Sequence, residues 1–126
     1  MTLDVRIVLE SRPQAAAEAR DQVRFQLRDR VAAPMLHDLL VVVTELVTNS
    51  VRHGPGLPIQ LRIALNEDGS IRGEVEDQGD GEVAIREMRD DFEDGLGLRI
   101  VDTLTDRWAV YEGSTHVWFE MRPPAL

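Results

Sequence analysis

The chain contains no cysteine and no lysine, carries far less positive than negative charge, and has no long hydrophobic run. Without cysteine there is no disulfide and no thiolate metal site, and a reducing compartment is comfortable. All fourteen basic residues are arginine, and they are scattered rather than clustered. A formal net charge of −9 repels nucleic-acid phosphates, which argues against direct DNA or RNA binding. An acidic surface suits a basic protein partner instead. The longest purely aliphatic run, Leu39 to Val43, is far too short to cross a bilayer. The N-terminus, MTLDVRIVLE, has no basic segment leading into an apolar one, so it does not read as a secretory signal. These absences predict a cytoplasmic protein that contacts neither membrane nor nucleic acid.

What is present suits one domain spanning residues 1–126. The apolar share of 43% is enough for one core. Val5, Ile7 and Leu9 alternate with their neighbours and predict a first strand. Ser11 and Pro13 then supply cap and first-turn chemistry for a helix. Ala16, Ala19, Val23, Leu27 and Val31 mark its apolar face.

A second helix is predicted from Pro34 to about His53, with Leu36, Leu39, Leu40, Val43, Leu46, Val47 and Ser50 as its buried stripe. Gly54-Pro55-Gly56 stops it. Ile59, Leu61, Ile63 and Leu65 mark a half-buried strand. The turn signal Asn66-Glu67-Asp68-Gly69 leads to a partner strand with Ile71, Gly73 and Val75 in phase.

Residues 82–94 are highly charged and aperiodic, and read as a loop. Leu96, Leu98, Ile100, Val101 and Leu104 mark a third helix. Two last strands are predicted around Trp108 to Glu112 and Thr115 to Met121, with Gly113 at the turn. No βαβ unit repeats. The order predicts an α+β two-layer sandwich, with helices on one face of a mixed, mainly antiparallel sheet.

Three segments hold residues suited to chemistry. Glu45 and Asn49 stand four apart on the second helix and share a face, flanked by Thr48, Arg52 and His53. An amide oxygen is a neutral hard ligand for Mg²⁺. A carboxylate can deprotonate an attacking hydroxyl or water. Asp77 continues the inward phase of Ile71, Gly73 and Val75. A carboxylate aimed at a core needs a donor, and an exocyclic adenine amine is one. Gly79 and Gly81 follow, where a missing side chain lets a planar base approach the backbone. Gly95-Leu96-Gly97-Leu98 opens a helix whose free N–H groups can hold phosphates.

Each segment also has a plain structural reading. These are a solvated helix face, a polar turn and an ordinary loop-to-helix junction. The third is not a P-loop, since no Gly-Lys-Ser/Thr follows, and it lacks the Rossmann spacing. His37 reads as a structural histidine. Trp108 and Trp118 read as core or surface anchors.

Together, in this order, the segments resemble a known family. Residues 45–54, from Glu45 through Asn49 and His53 to Gly54, look like the N box of the GHKL (Bergerat-fold) ATP-binding superfamily. Val75 to Gly81 resembles its first glycine box, and Gly95 to Leu98 its second. The chain is most similar to the anti-sigma-factor serine/threonine kinase branch, in its small actinobacterial form, which the ending Val117-Trp118-Phe119-Glu120 also resembles.

The resemblance implies a Bergerat fold, ATP and Mg²⁺ as cofactors, Glu45 as general base and Asn49 as the Mg²⁺ ligand. It places Asp77 on the adenine amine, Gly79 beside the base and Gly81 at the start of a lid. Gly95, Leu96, Gly97 and Leu98 would offer N–H groups to phosphates, and His53 would join the nucleotide site. Where such proteins often carry a threonine before the Val-Trp pair, this chain has His116, with Thr115 one position earlier. Adjacent strand residues face opposite ways, so Thr115 would need a bulge to substitute.

The function implied is phosphorylation of an anti-anti-sigma (STAS-type) protein, with sequestration of a sigma factor as a further capacity, in a chain that can form a homodimer. The alternative is a module that binds ATP without chemistry and gates a protein interface.

Overall fold

Val5, Ile7 and Leu9 are buried while Asp4, Arg6 and Val8 face solvent, so β1 (Leu3–Leu9) lays one face on a core. The same alternation builds β2 (Ile59–Leu65), β3 (Ile71–Glu76) and β5 (Val117–Met121). The computed structural model describes residues 2–77, 96–110 and 116–124. Three helices, α1 (Ala15–Leu27), α2 (Ala33–His53) and α3 (Leu96–Leu104), and a short strand β4 (Arg107–Val110) complete the order β1-α1-α2-β2-β3-α3-β4-β5. The strands form one sheet in the order β1-β2-β3-β5-β4. Every described pairing is antiparallel, which narrows the expected mixed sheet. The architecture is the α+β sandwich that the element order implied. The loop expected over residues 82–94 and the turn expected at Gly113 lie outside the described residues.

Helix α2 is the centre of the helical layer and packs against α1, α3 and β3. Pro34 sits in its first turn, where a missing N–H costs nothing. Its buried stripe is the predicted one, extended by Met35 and Val42. Each fully buried aliphatic side chain contributes about 1.5–3 kcal/mol, so this helix anchors the layer.

Helix α1 differs from expectation at its start. Ala15 is buried in place of Ala16, and the helix-flanking residue is Gln14, with no side-chain cap. Ser11 and Pro13 belong to the turn before it, closed by the Ala15 N–H donating to the Arg12 carbonyl at 2.9 Å.

At the middle of the sheet Ile63, Gly73 and Phe119 stand in register. The fully buried Phe119 ring lies directly over the Gly73 Cα, where a Cβ would collide with three of its ring atoms. Overpacking of this kind costs roughly 1–3 kcal/mol. Gly73→Ala is therefore expected to lower stability by about that amount, read as a shift in the urea midpoint at constant slope. An unchanged midpoint would refute the packing argument.

The β2–β3 turn closes through the Asn66 N–H donating to the Ser70 carbonyl at 2.9 Å, with Gly69 at φ +86°. Asp68 accepts from the Ser70 hydroxyl at 2.6 Å and the Ser70 N–H at 2.9 Å. These two bonds, the hydroxyl foremost, hold its carboxyl below the usual range.

The sheet face opposite the helices is polar. There the Arg72 guanidinium lies 4.7 Å and that of Arg107 5.5 Å from the Trp118 ring, and both pair with Glu120. Trp118 is thus half-buried in a charged network, while the Trp108 indole N–H donates to Asp102 at 2.9 Å. No helix among the described residues is long and apolar enough to cross a membrane.

Candidate functional site

The last turns of α2 carry two stacked i, i+4 ladders. One runs through Leu46, Ser50 and Gly54, the other through Asn49 and His53. Together they form one wall of a cleft. Asp77, one residue past β3, and Val117, the first residue of β5, form the other wall. Asn49 and His53 of α2 are thus brought together with Asp77, from a segment far apart in the chain.

Asp77 is 1% exposed. Its position follows from the strand that precedes it, since residues 71, 73, 75 and 77 all point to the helical side. Burying a carboxylate is costly unless donors compensate it, and the cleft is where a ligand donor would meet it. Gly54 makes room for this carboxylate. A Cβ there would fall 2.5 Å from Asp77 Oδ2 and 2.5 Å from the Ser50 carbonyl oxygen. The backbone at Gly54 is extended, so the glycine is needed for space rather than for conformation.

Glu45 is half-buried one helical turn before Asn49 and is not part of the cleft wall. Its neighbour Thr44 is tied on both sides. Arg20 of α1 donates to the Thr44 hydroxyl at 3.1 Å, and that hydroxyl donates to the Leu40 carbonyl at 2.7 Å. This fixes the helix pair beside Glu45.

Among the described residues no group of three or more histidine and carboxylate side chains can hold a metal ion. The Asn49 side chain, in the cleft wall, carries a neutral amide oxygen of the kind that can join a cation's shell.

Leu98 sends its side chain into the core, 3% exposed, so only its backbone is available to a ligand. Leu96 and Gly97 form the first turn of α3. Gly79, Gly81, Gly95 and Thr115 lie outside the described residues. His37 is exposed on α2.

His116 does not line the cleft. Its Nε2 stands 2.8 Å from Glu74 Oε2 on the opposite face of the sheet. Val117 lines the cleft instead. Period-two alternation forces this, because Val117, Phe119 and Met121 are the buried residues of β5.

Ser50, Gly54 and Val117 were not among the expected site residues. Ser50 was the visible signal, a polar side chain within an otherwise apolar helical stripe.

The fold is shared with a solved structure of the RsbU and RsbW domains of Rv1364c from Mycobacterium tuberculosis, at a TM-score of 0.72 and 23% identity. That likeness covers 98% of this chain and 34% of the other, so this chain spans about a third of its length. No curated protein matches by sequence. Residues 9–121 match the histidine kinase-like ATPase domain, and a match over most of the chain shows that the protein belongs to that family.

Proposed function

We propose that the protein is an ATP-dependent serine/threonine kinase of the anti-sigma type, acting on an anti-anti-sigma partner and able to sequester a sigma factor. The observation that supports this best is the meeting of Asn49, at the end of α2, with the buried Asp77 in a single cleft. A neutral hard oxygen and a desolvated acceptor are what a Mg²⁺-bound nucleotide with an exocyclic amine requires.

In this reading the Asp77 carboxylate accepts from the adenine amine, and Gly54 leaves that carboxylate its place. Asn49 would hold Mg²⁺ through its amide oxygen, and the ion would supply neutralisation of phosphate charge. His53 closes the same wall. Gly79 and Gly81 flank the base and the lid, and Gly95 to Leu98 offer backbone N–H groups to the phosphates. Thr115 is the further residue assigned to the adenine site in this reading.

Glu45 takes the proton from the partner's hydroxyl. That oxygen bonds to the γ-phosphorus as the bond to the ADP oxygen breaks, and ADP leaves with the electron pair.

The test is calorimetric titration of the purified protein with ATP and Mg²⁺, followed by label transfer to a candidate antagonist. One-site binding with a preference for ATP over GTP is expected. Absence of any binding heat up to millimolar ATP would end the nucleotide reading. Binding without transfer would favour the alternative of an ATP-gated interaction module.

A further inference from the structure

Ser50 is 7% exposed and lies in the wall of the cleft beside Asp77. Hydroxyls inside helices ordinarily donate back to the carbonyl four residues earlier. Thr44 of α2 does so to Leu40 at 2.7 Å and Thr103 of α3 to Arg99 at 2.9 Å. No such bond from Ser50 to Leu46 is found, and its oxygen is not among the fully enclosed side-chain atoms left without a partner among the described residues, so the hydroxyl opens to the cleft. An alanine would fit the apolar stripe of α2 at least as well and is the better helix former. The hydroxyl therefore serves something that enters the cleft.

We infer that Ser50 is a specificity-determining residue for the base, donating, directly or through one water, to the acceptor ring nitrogen beside the exocyclic amine. The inference rests on the nucleotide reading above. Asp77 accepts only, whereas a serine hydroxyl can donate. That pair of groups matches adenine, whose amine donates and whose neighbouring N1 accepts. Guanine presents the reverse order, an accepting oxygen and a donating N1–H. A site with both groups in place selects by leaving the wrong base's polar atoms mispaired.

The experiment compares ATP with 1-deaza-ATP, which keeps the amine and lacks the N1 acceptor. Both are titrated calorimetrically into wild type and Ser50→Ala, and a melting curve without nucleotide confirms that the variant is folded. Wild type is expected to bind ATP about 3- to 10-fold more tightly than the analogue. Ser50→Ala is expected to lose that difference while binding the analogue as wild type does. A variant that weakens both ligands equally, or neither, overturns the assignment, because a structural role would not distinguish two bases of one shape. If wild type binds neither, the nucleotide reading fails first, and this inference fails with it.

Discussion

Asp77→Asn is expected to weaken ATP binding by about one to two orders of magnitude. A hydrogen bond to a charged acceptor contributes roughly 1.5–3 kcal/mol, and each 1.4 kcal/mol is tenfold in affinity. The carboxamide keeps the shape of the side chain. It either turns an N–H toward the adenine amine or gives up the charge that strengthened the bond, and in the first case two donors face each other in a dry cleft. The variant should still fold. Asp77 is 1% exposed, and removing a buried charge relieves its desolvation cost. The free protein should therefore melt close to the wild-type temperature. Calorimetry and a melting curve read the two effects separately. Retained affinity would show that Asp77 is not the base acceptor, and a large loss of melting temperature would show that its role is structural.

Glu45→Ala is expected to reduce phosphoryl transfer by about 10²- to 10⁴-fold, the usual contribution of a positioned general base, with ATP affinity changed little. The split follows from position. Glu45 lies one helical turn from Asn49 and outside the cleft wall that includes Asp77. It has no place at the base, and its neighbour Thr44 is already bonded to Arg20 and Leu40. Single-turnover transfer from labelled ATP to the antagonist measures the chemical step, and titration of the same variant measures binding. Equal transfer by wild type and variant would remove Glu45 from the reaction. Loss of binding along with transfer would instead assign it to the nucleotide site.

Much of this arrangement was legible in the sequence because it depends on local periodicity. The stripe of α2, the inward phase of β3 and its continuation to Asp77 each follow from spacing along one element. Ala15-Ala16-Ala17 offers no contrast between adjacent side chains, so the phase of α1 was read one residue late. The pairing of β3 with β5 depends on contacts between distant stretches and has no local signal. His116 stands where similar proteins often carry a threonine, and its partner Glu74 lies 42 residues away, so their contact has no local signal. Ser50 looked like a member of the buried stripe. Only its place in the cleft, and the missing bond to its own helix, set it apart.

The cleft draws on the end of α2, the end of β3 and the start of β5, three stretches far apart in the chain. No single one of them forms the site. It comes into being only when β5 docks beside β3 and α2 lies across both, so an early folding species holding only the local elements has nothing to offer a ligand. A molecule that binds there binds the native state alone. It then adds its whole occupancy term, about 2.7 kcal/mol at a hundredfold excess over Kd, to the barrier against unfolding at equilibrium. Abundance of the folded protein in a cell would then rise and fall with the concentration of its ligand, before any partner is met.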